Sequence, residues 1–226
     1  MNALLTQLRR SAVMVVICLV IFGLAYPLLG VGLSKAFFNG QANGSITANG
    51  SNLIGQDWSQ TKCPGHLLGS CVFQGRPDNL GPYSDLGDPN GCPSPKPSAG
   101  CNPTGHPGDD PLTANGAAGE SGATNLGPRS QELVDYTKIL IKYWQARGVS
   151  PTSDLVTTSG SGIDPDITPQ DAQAEIPMVS RATGISRAQL QGLINRETQG
   201  MELGFLGSPT VNVLQLNEGL AKLEHP

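Results

Sequence analysis

Between Arg10 and Lys35 the chain runs from Ser11 to Ser34, twenty-four residues, without a single charge. Hydrocarbon offers the backbone no hydrogen-bond partners, so a stretch of this kind must satisfy its own amides as a helix. A helix over Ala12 to Leu33 is about 33 Å long, enough to cross a core of about 30 Å. The sequence therefore predicts one transmembrane helix at 11–34. Arg9 and Arg10 precede it and Lys35 follows it. The excess of basic residues on the cytoplasmic side places residues 1–10 inside and 35–226 outside, in a single-pass cell-membrane protein. A cleaved secretory signal is the rival reading. Its apolar region is shorter, and neither Ser34-Lys35-Ala36 nor Gly23-Leu24-Ala25 makes a good cleavage site, so a retained anchor is expected.

Inside this segment Gly23, Pro27, Gly30 and Ser34 fall at steps of four, three and four, on one helical face. Small residues let a second helix approach closely, which in lipid supports association. Pro27 removes a backbone hydrogen bond and should kink the helix. This face is the predicted partner-packing surface.

Beyond the anchor the chain is rich in turn formers and poor in aromatics: 29 Gly and 18 Pro over the whole chain, against 5% Phe, Trp and Tyr. The core must be thin and the loops long. The balance after Arg10 is acidic, twelve basic against eighteen acidic residues, which excludes a basic nucleic-acid face. Residues 35–50 read as a linker and 51–226 as one extracytoplasmic domain, with an irregular Gly/Pro/Cys-rich loop at 63–122. Cys18 lies in the anchor. Cys63, Cys71, Cys92 and Cys101 sit in that loop, in an oxidising compartment on this topology. Four thiols allow three disulfide pairings, of which Cys63 with Cys71 and Cys92 with Cys101 is preferred. A metal site using His66 and His106 is the alternative, but no C-x-x-C knuckle is present, so no metal is expected.

The regular elements are legible in outline. Ser51–Gln56 reads as a short strand. A helix after Pro128 carries Leu133, Tyr136, Leu140 and Tyr143 at helical spacing and stops at Gly148. Thr168-Pro169-Gln170-Asp171 opens a second helix, kinked at Pro177 and ended by Gly184. Ser186-Arg187-Ala188-Gln189 is a capping box opening a third. Val211–Leu216 reads as a strand, and Asn217 as the cap of a last helix. The fold class is α+β, a mixed α/β domain behind a single anchor.

Catalytic sets are scarce. Thr158-Ser159-Gly160-Ser161-Gly162-Ile163-Asp164-Pro165 places hydroxyls beside glycines and a carboxylate, which would suit an anchored serine hydrolase using Ser159 or Ser161 with Asp164. A G-x-S-x-G elbow would need glycine where Thr157 stands, and Gly119-Glu120-Ser121-Gly122-Ala123 also fails. The third histidine is His225, next to the C-terminal Pro226. Neither a phosphate-binding G-x-x-x-x-G-K-[ST] loop nor an H-E-x-x-H occurs. A tight turn, in which Ser161 or Asp164 bonds backbone N–H groups, is preferred. A disulfide-braced surface module, working through the loop from Cys63 to Gly122, is a further alternative.

Several segments together resemble the C subunit of the Kdp potassium-transporting P-type ATPase. They are Gly23–Leu28, Asn52–Gln56, Gly75-Arg76-Pro77, Thr124-Asn125-Leu126-Gly127-Pro128, Asp154–Pro165 and Gly204-Phe205-Leu206-Gly207 through Val211-Asn212-Val213-Leu214, in that family's order. The resemblance implies a non-catalytic accessory subunit, assembling with a channel-like potassium-binding subunit and a separate ATP-hydrolysing subunit for potassium uptake. It marks Gly75, Arg76, Pro77, Asn125, Gly127, Ser159, Gly160, Ser161, Gly162, Asp164, Pro165, Gly204, Gly207 and Asn212 as motif positions. The family is also described as a catalytic chaperone that raises the pump subunit's affinity for ATP. ATP would then be met through the complex, since the topology puts the domain and cytoplasmic nucleotide on opposite sides of the membrane. The chain differs from the family pattern in its long cysteine-rich loop, at Asp78, and around Glu197, Gln199 and Met201.

Overall fold

Lys35 ends the charge-free stretch, yet in the computed structural model the apolar helix continues past it, from Leu4 to Phe37. The structure describes residues 2–56, 58–59, 61–77, 121 and 123–224. Cys92, Cys101, His106, His225, Gly119, Glu120 and Gly122, and with them most of the expected loop at 63–122, lie outside the described residues.

Two compact units divide the chain, Met1–Ala48 and Asn49–Pro226. The first holds α1 (Asn2–Cys18), a π-helical stretch at Leu19–Ala25, α2 (Tyr26–Phe37), the short α3 (Asn39–Ala42) and β1 (Ile46–Thr47). The irregularity expected at Pro27 takes the form of this wide turn, and Pro27 explains its position. Proline has no N–H to give the carbonyl of Gly23, and its ring crowds that carbonyl. Widening the preceding turn relieves the clash, and the Tyr26 N–H donates five residues back, to the Ile21 carbonyl.

In the second unit, β2 (Gly50–Ser51) leads to the disulfide loop, and α4 (Gln131–Ala146) follows. α4 starts three residues after Pro128, because Ser130 takes the extended N-cap conformation and Pro128-Arg129 form a turn. Tyr136, Leu140 and Trp144, four apart, are its buried edge. Trp144 donates its indole N–H to the Leu155 carbonyl at 2.7 Å. At the far end Gly148 (φ 73°) closes a Schellman motif: Val149 N–H bonds Trp144 O, and Gly148 N–H bonds Gln145 O, both at 3.0 Å.

β3 (Asp166–Ile167) precedes α5 (Pro169–Thr183), α6 (Arg187–Glu197), β4 (Thr198–Gln199), β5 (Thr210–Asn212) and α7 (Val213–Glu224). The three strands form an antiparallel sheet in the order β3-β5-β4, with Asp166 opposite Asn212 and Thr198 opposite Val211. The predicted caps of α5 and α6 form: Thr168 accepts from the Asp171 N–H, and Ser186 and Gln189 make the reciprocal capping box. α5 runs through Pro177 without a break. The carbonyl deprived of its partner belongs to Gln173, on the exposed side, where water can replace the bond.

One reading is corrected at the C-terminus. Val211–Leu216 is not a strand throughout: β5 ends at Asn212 and α7 starts at Val213. The Asn212 Oδ1 accepts the Gln215 N–H at 3.2 Å and caps the helix, and Val213, Leu216 and Leu220 then bury at helical spacing. Asn217 is therefore inside α7 and caps nothing. Similarly, Ser51–Gln56 is strand only at its first residue and then turns. Ile167, Val179, Leu193, Val211 and Leu216 join Trp144 and Phe73 in one core between the sheet, α5, α6, α7 and α4.

Candidate functional site

The segment from Phe73 to Arg76 has no regular structure, so its backbone groups need partners from elsewhere. Side chains of the two long C-terminal helices supply them. Asn217 of α7 accepts the Phe73 N–H at 2.8 Å and donates to its carbonyl at 2.9 Å. Glu175 of α5 accepts the Gln74 N–H at 3.0 Å. The Gln74 amide then donates to the Gly69 carbonyl at 2.7 Å, tying the segment to the loop closed by the Cys63–Cys71 disulfide (Cα–Cα 5.6 Å). That bond is the expected first pairing, and it removes both sulfurs from any thiolate metal set.

Arg76 sits at the end of this held segment. Its guanidinium donates to the carbonyls of Thr157 (3.4 Å) and Thr158 (3.2 Å) and to the Thr157 hydroxyl (3.4 Å). It also meets the carboxylates of Asp154 at 3.5 Å and Asp164 at 3.9 Å. Asp154 spends its other oxygen on the Thr168 N–H at 3.0 Å, fixing the entry to α5. Arg76 is thus the hub between the Asp154–Pro165 loop and the body of the unit.

Within that loop the hydroxyls and carboxylates serve the backbone. Ser159 is buried and accepts the Gly162 N–H at 2.8 Å; Ser161 accepts from Ile163 at 3.2 Å; Asp164 accepts from Asp166 at 3.1 Å. The Gly55 N–H bonds the Ile163 carbonyl at 2.7 Å, and a Cβ on Gly55 would lie 2.7 Å from the Asp164 carbonyl oxygen, so Asn52–Gln56 and this loop touch backbone to backbone. Asn212 donates to Asp166 and to the Asn52 carbonyl, each at 3.0 Å, and the Val213 N–H bonds Pro165 O at 3.0 Å. Ser121 donates to the Ser161 carbonyl at 2.8 Å, from just ahead of Thr124–Pro128.

The charges here are unequal: two aspartates meet one arginine, and a third, Asp166, stands near Asp164. Burial raises the Asp166 carboxyl above its ordinary range; the Asn212 bond opposes this and the charge of Asp164 adds to it. Deeper in, Asp171 and Glu175 are both fully buried, four residues apart on α5. Asp171 is met by the hydroxyls of Thr152 and Thr168. Glu175 is pushed well above the usual carboxylate range by burial, against the Gln74 N–H and with the help of Asp171. One of its oxygens, Oε1, has no partner, as a neutral carboxylic acid tolerates better than a carboxylate.

The structure thus gathers Arg76, Ser159–Pro165 and Asn212 around one junction. Among the described residues it does not gather a nucleophile, base and orienting acid. Ser159 and Asp164 are occupied with backbone groups and Arg76, and His66, the one histidine among the described residues, belongs to the disulfide loop. Gly204 and Gly207 lie apart from the junction, in the loop from β4 to β5. Asn125 (φ 53°) and Gly127 lead into α4. In the first unit Gly23, Pro27, Gly30 and Ser34 are all exposed, and a Cβ on Gly23 or Gly30 would meet nothing within 4 Å. Four residues make close to one turn in either helix type, so the wide turn keeps Gly23 near the face of the other three.

Sequence reasoning overlooked Glu175 and Gln74 and gave Asn217 the role of a helix cap in place of its bonds to Phe73. Their signal was present for Glu175 at least: it shares a helical stripe with Ala172, Ile176 and Val179, a position where an acid must be buried.

The family model described as "K+-transporting ATPase, c chain" matches residues 8–222, the anchor, the junction and the sheet together. The chain belongs to the KdpC family. Among the relatives, the potassium-transporting ATPase KdpC subunit of Koribacter versatilis is 37% identical over 218 residues, covering 93% of this chain and 92% of the relative. The KdpC subunit of Methylorubrum extorquens is 36% identical over 227 residues, covering 97% and 98%. That of Rhodopseudomonas palustris is 36% identical over 224 residues, covering 96% and 97%. The family segments that gather at the junction are therefore KdpC segments spent on bracing the unit.

Proposed function

We propose that this chain is the non-catalytic accessory subunit of an ATP-driven, high-affinity potassium import complex. It holds a channel-like potassium-binding subunit and an ATP-hydrolysing subunit together in the membrane. The N-terminus is cytoplasmic and the unit from Asn49 onward extracytoplasmic, against the outer mouth of the potassium subunit. The observation that carries this reading is the exposed face of Gly23, Pro27, Gly30 and Ser34 on a helix long enough to span the bilayer. Nothing among the described residues of its own unit covers that face, and small residues are the means by which helices pack in lipid.

Influence on ATP use then passes through the complex, because the folded unit and the nucleotide are on opposite sides of the membrane. The test is removal of the chain with the other two subunits left in place. Potassium-stimulated ATP hydrolysis and potassium uptake at low external potassium are expected to disappear and to return with the full chain. Undiminished uptake without the chain would overturn the proposal.

A further inference from the structure

The loop from β4 to β5 is built to show apolar side chains to its surroundings. Leu203 is 82% exposed and Phe205 72%, with Met201 and Leu206 beside them at 46% and 47%. The loop is nonetheless well ordered by its own bonds: Glu202 and Leu206 exchange both backbone hydrogen bonds at 2.9 Å, and Gly204 N–H bonds the Met201 carbonyl at 3.1 Å. Leu203 holds a left-handed backbone (φ 53°), followed by Gly204 (φ 80°) and Gly207 (φ 78°). A branched apolar residue in that conformation is strained, and the loop's own hydrogen bonds hold it there with Leu203 and Phe205 both exposed. No packing among the described residues of this unit rewards the strain.

Charge decides what covers the tip. From Thr198 to Ala221 there is no Lys, Arg, Trp or Tyr, and Glu202 is the exposed charge within the loop. A lipid surface is gripped by basic and interfacial aromatic residues, which are missing here, and an acid is repelled by anionic headgroups. A protein recess that is apolar within and carries cationic or N–H donors at its rim fits both the side chains and Glu202.

We infer that the 201–206 tip is the docking knob of the folded unit, seating Leu203 and Phe205 in such a recess on the outward face of a membrane-embedded subunit of the complex. This rests on the assembly proposed above and names the surface that carries it. Preorganisation lowers the ordering cost of binding, and a few side chains seated in a well-packed, dry recess carry most of an interface's energy.

The test uses the full chain co-expressed with its partner subunits, carrying a photo-reactive phenylalanine analogue at 203, at 205 or, as a control, at the exposed Val134 of α4. A covalent adduct to a membrane-embedded subunit is expected from 203 and 205, on the order of tenfold above the control. Adducts only to lipid, none from the tip, or equal yields at all three positions would overturn the inference. Leu203→Gly separates docking from folding. Relief of strain should leave the thermal midpoint of the purified full chain unchanged or higher, while partner recovery falls several-fold. Wild-type recovery would contradict the inference. If the wild-type chain brings down no partner at all, it is the assembly proposal that fails.

Discussion

Arg76 makes contacts that no other cation in the unit duplicates among the described residues, three to Thr157 and Thr158 and two to carboxylates. Arg76→Ala should lower the stability of the folded unit by about 1–3 kcal/mol, the low end reflecting solvent screening at Asp164, which is 36% exposed. Arg76→Lys should recover less than half, since one ammonium cannot replace a planar fork shared among five acceptors. Chemical unfolding of the three proteins checks this, and full rescue by lysine would refute the geometric argument. Glu175 gives a pH signature. Its carboxyl is raised in the folded state from an ordinary value of 4.5, so the folded chain holds a proton that the unfolded chain releases. Stability falls as pH rises from about 4.5 towards the folded value, by up to about 1.4 kcal/mol per pH unit, and is highest below that window. Glu175→Gln should flatten this slope, so that its thermal midpoint gains on wild type between pH 4.5 and pH 8. A constant gap would remove Glu175 as the cause. The sequence pointed to a turn in which Ser161 or Asp164 bonds the backbone, because those residue types bond their own chain; that Ser159 does the same, to Gly162, only the structure shows. The sequence could not show Asn217 holding Phe73 across 144 positions, because no local pattern encodes so distant a partner.

Elements with local causes were legible. The caps at Thr168 and Ser186 and the stops at Gly148 and Gly184 depend on a few adjacent residues, and each appears where those residues stand. Val213–Leu216 was misread because a β-branched residue opening a short apolar run fits a buried strand as well as a helix, and the cap at Asn212 decides between them only once β5 is paired. In the anchor, Pro27 announced an irregularity but not its form, a wide turn with the hydrogen bond moved back by one residue. The prediction at this scale concerns the small-residue face. A Cβ added at Gly23 or Gly30 meets nothing within 4 Å, so Gly23→Leu and Gly30→Leu should leave the folded unit unchanged and reduce co-purification of partner subunits several-fold. Recovery equal to wild type would show that this face is not a packing surface.

At the scale of the molecule, several buried polar groups are spent on bracing while two apolar surfaces stay exposed. The carboxyl groups of Asp154 and Glu175 and the amides of Gln74 and Asn217 brace the Asn49–Pro226 unit. The anchor face and the 201–206 tip remain exposed. Such a division suits a subunit that acts through its companions. The central claim is met most directly by solubilising membranes from cells that express this chain with the potassium-binding and ATP-hydrolysing subunits, under conditions that keep membrane complexes whole, and measuring the native mass of the species that carries it. The account predicts one assembly containing all three. A chain inserted in the membrane but migrating alone would contradict it.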